Sequence, residues 1–135
     1  MIQLFGWAAI RENYTVDNED ENIESIENEL RERIKNFGWL KTPGLGILEL
    51  KYLNGDLILN ISIKANRFRQ ESKDAFELFD LIAEIAKGSY GLLYFHDEED
   101  LHGKDNTFQV YVLAKGLIKK KDDIFLSPLF PTIED

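Results

Sequence analysis

The sequence predicts an α+β domain in which a five-stranded, mainly antiparallel sheet carries two helices, and three observations predict it. Two stretches repeat apolar residues at helical spacing, three short runs are rich in strand-forming residues, and Asn54-Gly55 joins two further runs of that kind. At 135 residues the chain matches a single domain spanning 1–135.

Ile2–Ile10 reads as a largely buried strand, with Gly6 as a point of bulging or close backbone approach. Asn13–Asn22 is polar and loop-like. From Asp20 to Phe37, Ile23, Ile26, Leu30, Ile34 and Phe37 form one apolar helical stripe. Acids lie toward the start of this helix and Arg31, Arg33 and Lys35 toward its end, which complements the helix dipole. Leu45–Leu53 and Asp56–Ala65 flank Asn54-Gly55, a strong two-residue hairpin signal because both turn residues must accept positive φ. Glu71–Lys87 is a second amphipathic helix, with Phe76, Phe79, Ile82, Ala83 and Ala86 on one face and Gly88 as its stop. Ser89–His96 and Thr107–Ala114 are two further strands joined by an acidic loop, and the chain from Lys115 onward reads as a tail. The first six elements have the β-α-β-β-α-β order of a ferredoxin-like sandwich, with one strand added. Two helices cannot cover both faces of such a sheet, so one face is expected to be solvated or open to a partner.

Bulk properties narrow the function. The chain has no cysteine, which excludes thiolate catalysis, Cys-ligated zinc and iron–sulfur clusters. The apolar start Met1–Ile10 lacks a basic leading region and a small-residue cleavage site, and no apolar run approaches the ~20 residues of a membrane span. The expected location is the cytoplasm. With 25 acids against 16 bases and a net charge of −9, the chain is a poor match for nucleic acid or an anionic membrane and a good one for a basic partner.

No reactive constellation stands out, and neither catalytic residues nor a cofactor are expected. His96 and His102 bracket Asp97–Asp100, but their spacing matches no metal signature, so no metal site is assigned. The serines lie in no nucleophile-elbow context. Thr42-Pro43-Gly44-Leu45-Gly46 contains a Gly-x-Gly but leads into a strand, not the helix N-terminus that phosphate binding needs. Tyr90, Tyr94, Phe95, Phe108 and Tyr111 lie on two strands without an RNA-binding signature, so core packing accounts for most of these rings.

Charge placement is more informative. Between Glu12 and Leu30 there are eight acids and no Lys or Arg, and Asp97, Glu98, Glu99 and Asp100 form a second cluster. Asp17, Glu19, Asp20 and Glu21, with Asp97–Asp100, are therefore the expected partner-binding carboxylates. Tyr14 and Trp39 are the candidate aromatic anchors, whereas Trp7 is assigned to the core.

Phe5-Gly6-Trp7-Ala8-Ala9-Ile10-Arg11, the run Gly88–Glu98 and Phe125-Leu126-Ser127-Pro128 together resemble the immunity protein 7 family of bacterial polymorphic-toxin systems. The resemblance implies an α+β protein that binds and neutralises a cognate toxin domain without catalysis. With the acidic patch, it suggests a basic toxin such as a nuclease, occluded by a monomeric or weakly dimeric inhibitor. A small-ligand or regulatory domain, and an enzyme with a carboxylate or metal site, are the alternatives.

Overall fold

The computed structural model describes residues 1–13 and 22–128. Strand β1 (Ile2–Ile10) is the organising element, pairing antiparallel with β3 (Asp56–Ala65) on one side and with β4 (Tyr90–Asp97) on the other. Beyond β3 lies β2 (Gly46–Leu53), and beyond β4 lie β5 (Gln109–Ala114) and β6 (Leu117–Asp122). The described strands form one antiparallel sheet in the order β2-β3-β1-β4-β5-β6. The expected fifth strand is therefore followed by a sixth, and the segment after Lys115 is not a tail.

The turn that makes β6 explains why it escapes a reading of the sequence. Lys115 and Gly116 both have positive φ, 51° and 73°, the geometry of a two-residue turn that Asn-Gly usually supplies. Lysine in the first position hides the signal. Lys119–Lys121 then break any apolar alternation, as suits an edge strand that must not pair with another chain. The other edge is covered differently, since the Arg31 guanidinium donates to the Leu50 carbonyl of β2 at 2.9 Å.

Both helices pack on one side of the sheet. Helix α1 (Ile23–Lys35) buries Ile26 and Leu30, and α2 (Gln70–Ile85) buries Ala75, Leu78, Phe79, Ile82 and Ala83. They meet Leu4, Ala8 and Ile10 of β1, Leu57, Leu59, Ile61 and Ile63 of β3, Leu93 of β4 and Leu113 of β5 in one core. A fully buried Leu or Ile contributes about 1.5–3 kcal/mol relative to an exposed one. Because side chains alternate across a strand, the same register sends every intervening residue to the opposite, helix-free face.

One turn and one close approach fix the sheet. Asn54 and Gly55, at φ 50° and 87°, close the β2–β3 hairpin as its Asn-Gly pair predicts. Gly91 lies where β4 crosses β1 so closely that an added Cβ would sit 2.2 Å from the Trp7 carbonyl oxygen and 2.7 Å from the Ala8 Cα. Backbone cannot yield there as a flexible side chain can. Gly91→Ala should therefore cost about 1–3 kcal/mol, the usual penalty of overpacking, read as a lower urea midpoint at unchanged slope.

Candidate partner-binding surface

The helix-free face is built by the pairing register. Ile47 and Glu49 of β2 stand beside Ser62 and Asn60 of β3, these beside Phe5 and Trp7 of β1, and these beside Tyr94 and Leu92 of β4. Val110 and Val112 continue the rows on β5, and Lys121 and Lys119 end them on β6. Trp7 is not a core residue. It is 39% exposed and meets Tyr90, itself 47% exposed, edge to face at a centroid distance of 5.9 Å. Phe5, 38% exposed, stacks on Tyr94 at 5.3 Å, and Phe108 closes on both rings. Phe5, Gly6, Trp7, Ile47, Asn60, Ile61 and Ser62 line a shallow hollow of about 280 Å³. The alternation around Gly6 could have placed Trp7 opposite Leu4 and Ala8, but nothing in the sequence says which face the helices take.

The acidic residues meet different fates. Tyr14, Asp17, Glu19, Asp20 and Glu21 lie outside the described residues. Glu12 reaches across to the start of α1, where its carboxylate accepts the Asn22 backbone N–H at 2.8 Å and the Asn22 side-chain amide at 2.9 Å. Those hydrogen bonds, the backbone one first, hold its carboxyl below the ordinary glutamate range. A negative charge there also suits the positive end of the helix dipole. Glu27 accepts from Arg31 Nε at 2.8 Å and from the Tyr52 hydroxyl at 2.9 Å. Arg31 is the main reason its carboxyl is lowered, and the bond to Glu27 in turn raises the Tyr52 hydroxyl. Glu27 is thus spent on structure, while Glu24, Glu29 and Glu32 remain exposed along α1.

The Asp97–Asp100 cluster is a turn that shapes itself. Asp97 accepts the Glu99 N–H at 3.0 Å, Asp100 accepts the His102 N–H, and Glu98 lies 3.3 Å from the amino group of Met1. Glu98 and Glu99 stay exposed. His96 is buried and donates from Nε2 to the Asp105 carbonyl at 2.6 Å, whereas His102 is exposed, so the two rings do not converge. No group of three or more metal-ligating side chains comes together among the described residues. On α2, partial desolvation and then the neighbouring Glu77 raise the carboxyl of Asp80, which stands at the helix surface.

Trp39 is not available as an anchor. It sits in the 3-10 turn Gly38–Lys41, 7% exposed and stacked on Phe37 at 5.8 Å. Its indole N–H donates to Asp74 of α2 at 2.8 Å, and Gln70 donates to the other oxygen of the same carboxylate at 2.8 Å. A loop tryptophan followed by Leu40 read as exposed because its partner lies 35 residues further on.

With the geometry described, the relatives can be compared. A family model described as Immunity protein 7 matches residues 1–135, the whole chain. The chain belongs to the immunity protein 7 family. No curated protein and no solved structure matches it. Membership implies an immunity protein that binds a partner toxin. No helix among the described residues of this family member is long and apolar enough to cross a membrane.

Two structural predictions follow from these contacts. Asp74→Ala leaves the buried indole N–H of Trp39 without an acceptor, which should cost about 1–3 kcal/mol and shift tryptophan emission in the native state. Glu12 and Glu27 have lowered carboxyls, so the stability they confer is present above the ordinary glutamate range and is lost as pH falls below it through their lowered values. A Glu12→Gln/Glu27→Gln variant should melt below wild type at pH 7, and the gap between the two melting temperatures should close as pH falls through that window.

Proposed function

We propose that this immunity protein neutralises a basic toxin domain, a nuclease being the best match, by covering its working surface inside the cytoplasm of the producing cell. The observation that carries the reading is the family match along the entire chain. Net charge supports it: at −9, the protein is attracted to any domain that must itself attract nucleic acid. Exposed Glu24, Glu29 and Glu32 on α1, with Glu98 and Glu99 at the β4–β5 loop, contribute the described part of that field.

In this reading Asp17, Glu19, Asp20 and Glu21 are the steering carboxylates, with Tyr14 beside them as an anchor and Asp97–Asp100 as a second contact. Steering of this kind carries association toward ~10⁸–10⁹ M⁻¹s⁻¹ at low salt. Inhibition needs no chemistry beyond occupancy, so the inhibitor is expected to act as a monomer or a weak dimer. A small-ligand reading finds less support, since the 280 Å³ hollow is open and offers Asn60 and Ser62 as its polar lining side chains.

Co-expression with a cognate toxin domain tests the reading: the protein should restore growth, and a stable complex should co-purify. Reversing Glu19, Asp20 and Glu21 to Lys should slow association at low salt more than it speeds dissociation, measured by surface plasmon resonance. Unchanged association would remove that segment from the interface.

A further inference from the structure

A second cavity lies at the end of the sheet where β1 begins and β3 ends, apart from the open hollow on the helix-free face. Met1, Gly44, Leu45, Lys64, Arg69 and Glu71 contribute to its wall, which encloses about 240 Å³. Glu71 is the unusual member. It stands in the first turn of α2, 4% exposed, and its Oε1 is buried without a hydrogen-bond partner. No ion pair engages it among the described residues. Burying a carboxylate in this state costs free energy, and such groups are normally matched by a donor or a cation.

The rest of the wall has the opposite sign. Lys64 and Arg69 are exposed and make no ion pair among the described residues, whereas the Met1 amino group is already held by Glu98. The start of α2 adds to them. Its first helical bond runs from the Lys73 N–H to the Arg69 carbonyl at 3.1 Å, and no side chain caps this end. The N–H groups of Gln70, Glu71 and Ser72 therefore have no intrahelical acceptor, and the positive end of the helix dipole lies at the same cavity. A cation alone is repelled by Lys64 and Arg69, and an anion alone by Glu71. One small molecule carrying both charges satisfies every group.

We infer that this cavity is a binding site for a zwitterionic α-amino acid, its ammonium donating to Glu71 and its carboxylate set against Lys64, Arg69 and the uncapped start of α2. Rotation about the last bond of the Glu71 side chain turns either oxygen toward the ligand. Size agrees with a ligand this small, since cavities for larger molecules usually run from about 300 to 1,000 Å³. Leu45 supplies apolar wall for a side chain. The site is independent of the toxin reading, because it uses none of the carboxylates assigned to steering. A bound amino acid bridges the chain before β2, the end of β3 and the start of α2, so occupancy should stabilise the fold.

The test titrates the full chain calorimetrically with each of the common free amino acids, and with acetate, inorganic phosphate and methylamine as single-charge controls. At least one amino acid should bind one to one and raise the melting temperature. Its N-acetyl and amide derivatives, each lacking one of the two charges, should bind about tenfold more weakly or worse. Glu71→Gln, which keeps the side-chain shape, and Lys64→Met/Arg69→Met should each lower affinity by about tenfold or more. Backbone amide resonances of Gln70, Glu71 and Ser72 should move on binding. Lys64 and Arg69 are exposed, so the double variant keeps the fold, which circular dichroism checks, even where Glu71→Gln loses stability. Absence of binding by every amino acid overturns the site, as does undiminished affinity in the double variant. Acetate or phosphate binding as tightly as the amino acid marks an anion site, and methylamine doing so marks a cation site; either result overturns the inference.

Discussion

Two helices cannot shield both faces of a six-stranded sheet, and everything distinctive about this protein follows from that shortfall. The helices take the face that carries Leu4, Ala8, Leu59, Ile61, Ile63 and Leu93, where aliphatic side chains from five strands meet Leu30, Leu78, Phe79 and Ile82. Burial there is dense enough to fix the register of β1 against both neighbours. Once that register is fixed, Phe5, Trp7, Ile47 and Tyr90 have no helix among the described residues to cover them. A one-residue slip of β1 would bury the rings and expose Leu4 and Ala8, but the aliphatic side is continuous across the sheet and wins.

Much of the charge is engaged within the fold. Several of the acids that dominate the composition do structural work: Glu12 secures the start of α1, Glu27 holds Arg31 and Tyr52, Asp74 receives Trp39 and Gln70, and Asp97 and Asp100 shape their own turn. Arg31 links two of these arrangements, since it binds Glu27 and also satisfies the edge carbonyl of Leu50. The acids left exposed on α1 share that helix with exposed Arg31, Arg33 and Lys35.

Much of the fold was legible in advance. The first strand, the Asn54-Gly55 hairpin and both helices follow from periodicity and turn chemistry, within two or three residues at their ends. The sixth strand was not, because Lys115-Gly116 adopts a turn that its first residue does not advertise and because an edge strand has no buried pattern to read. The candidate site was less legible. Trp39 and Trp7 exchange their expected places, Trp39 going inside and Trp7 outside. Trp39 depends on an Asp 35 positions away, and Trp7 on there being no second helix layer among the described residues.

By itself the sequence determined the local elements, the acidic character, the lack of thiol chemistry and, through its short apolar motifs, the family. These depend on neighbours in the chain, on spacing and on composition, which are written directly in the order of residues. Only the tertiary structure decided which side of each strand faces the helices, which acids are engaged, and which aromatic rings remain in water. Strand alternation presents two faces that are equivalent until something packs on one of them, and that choice is made by the assembled core.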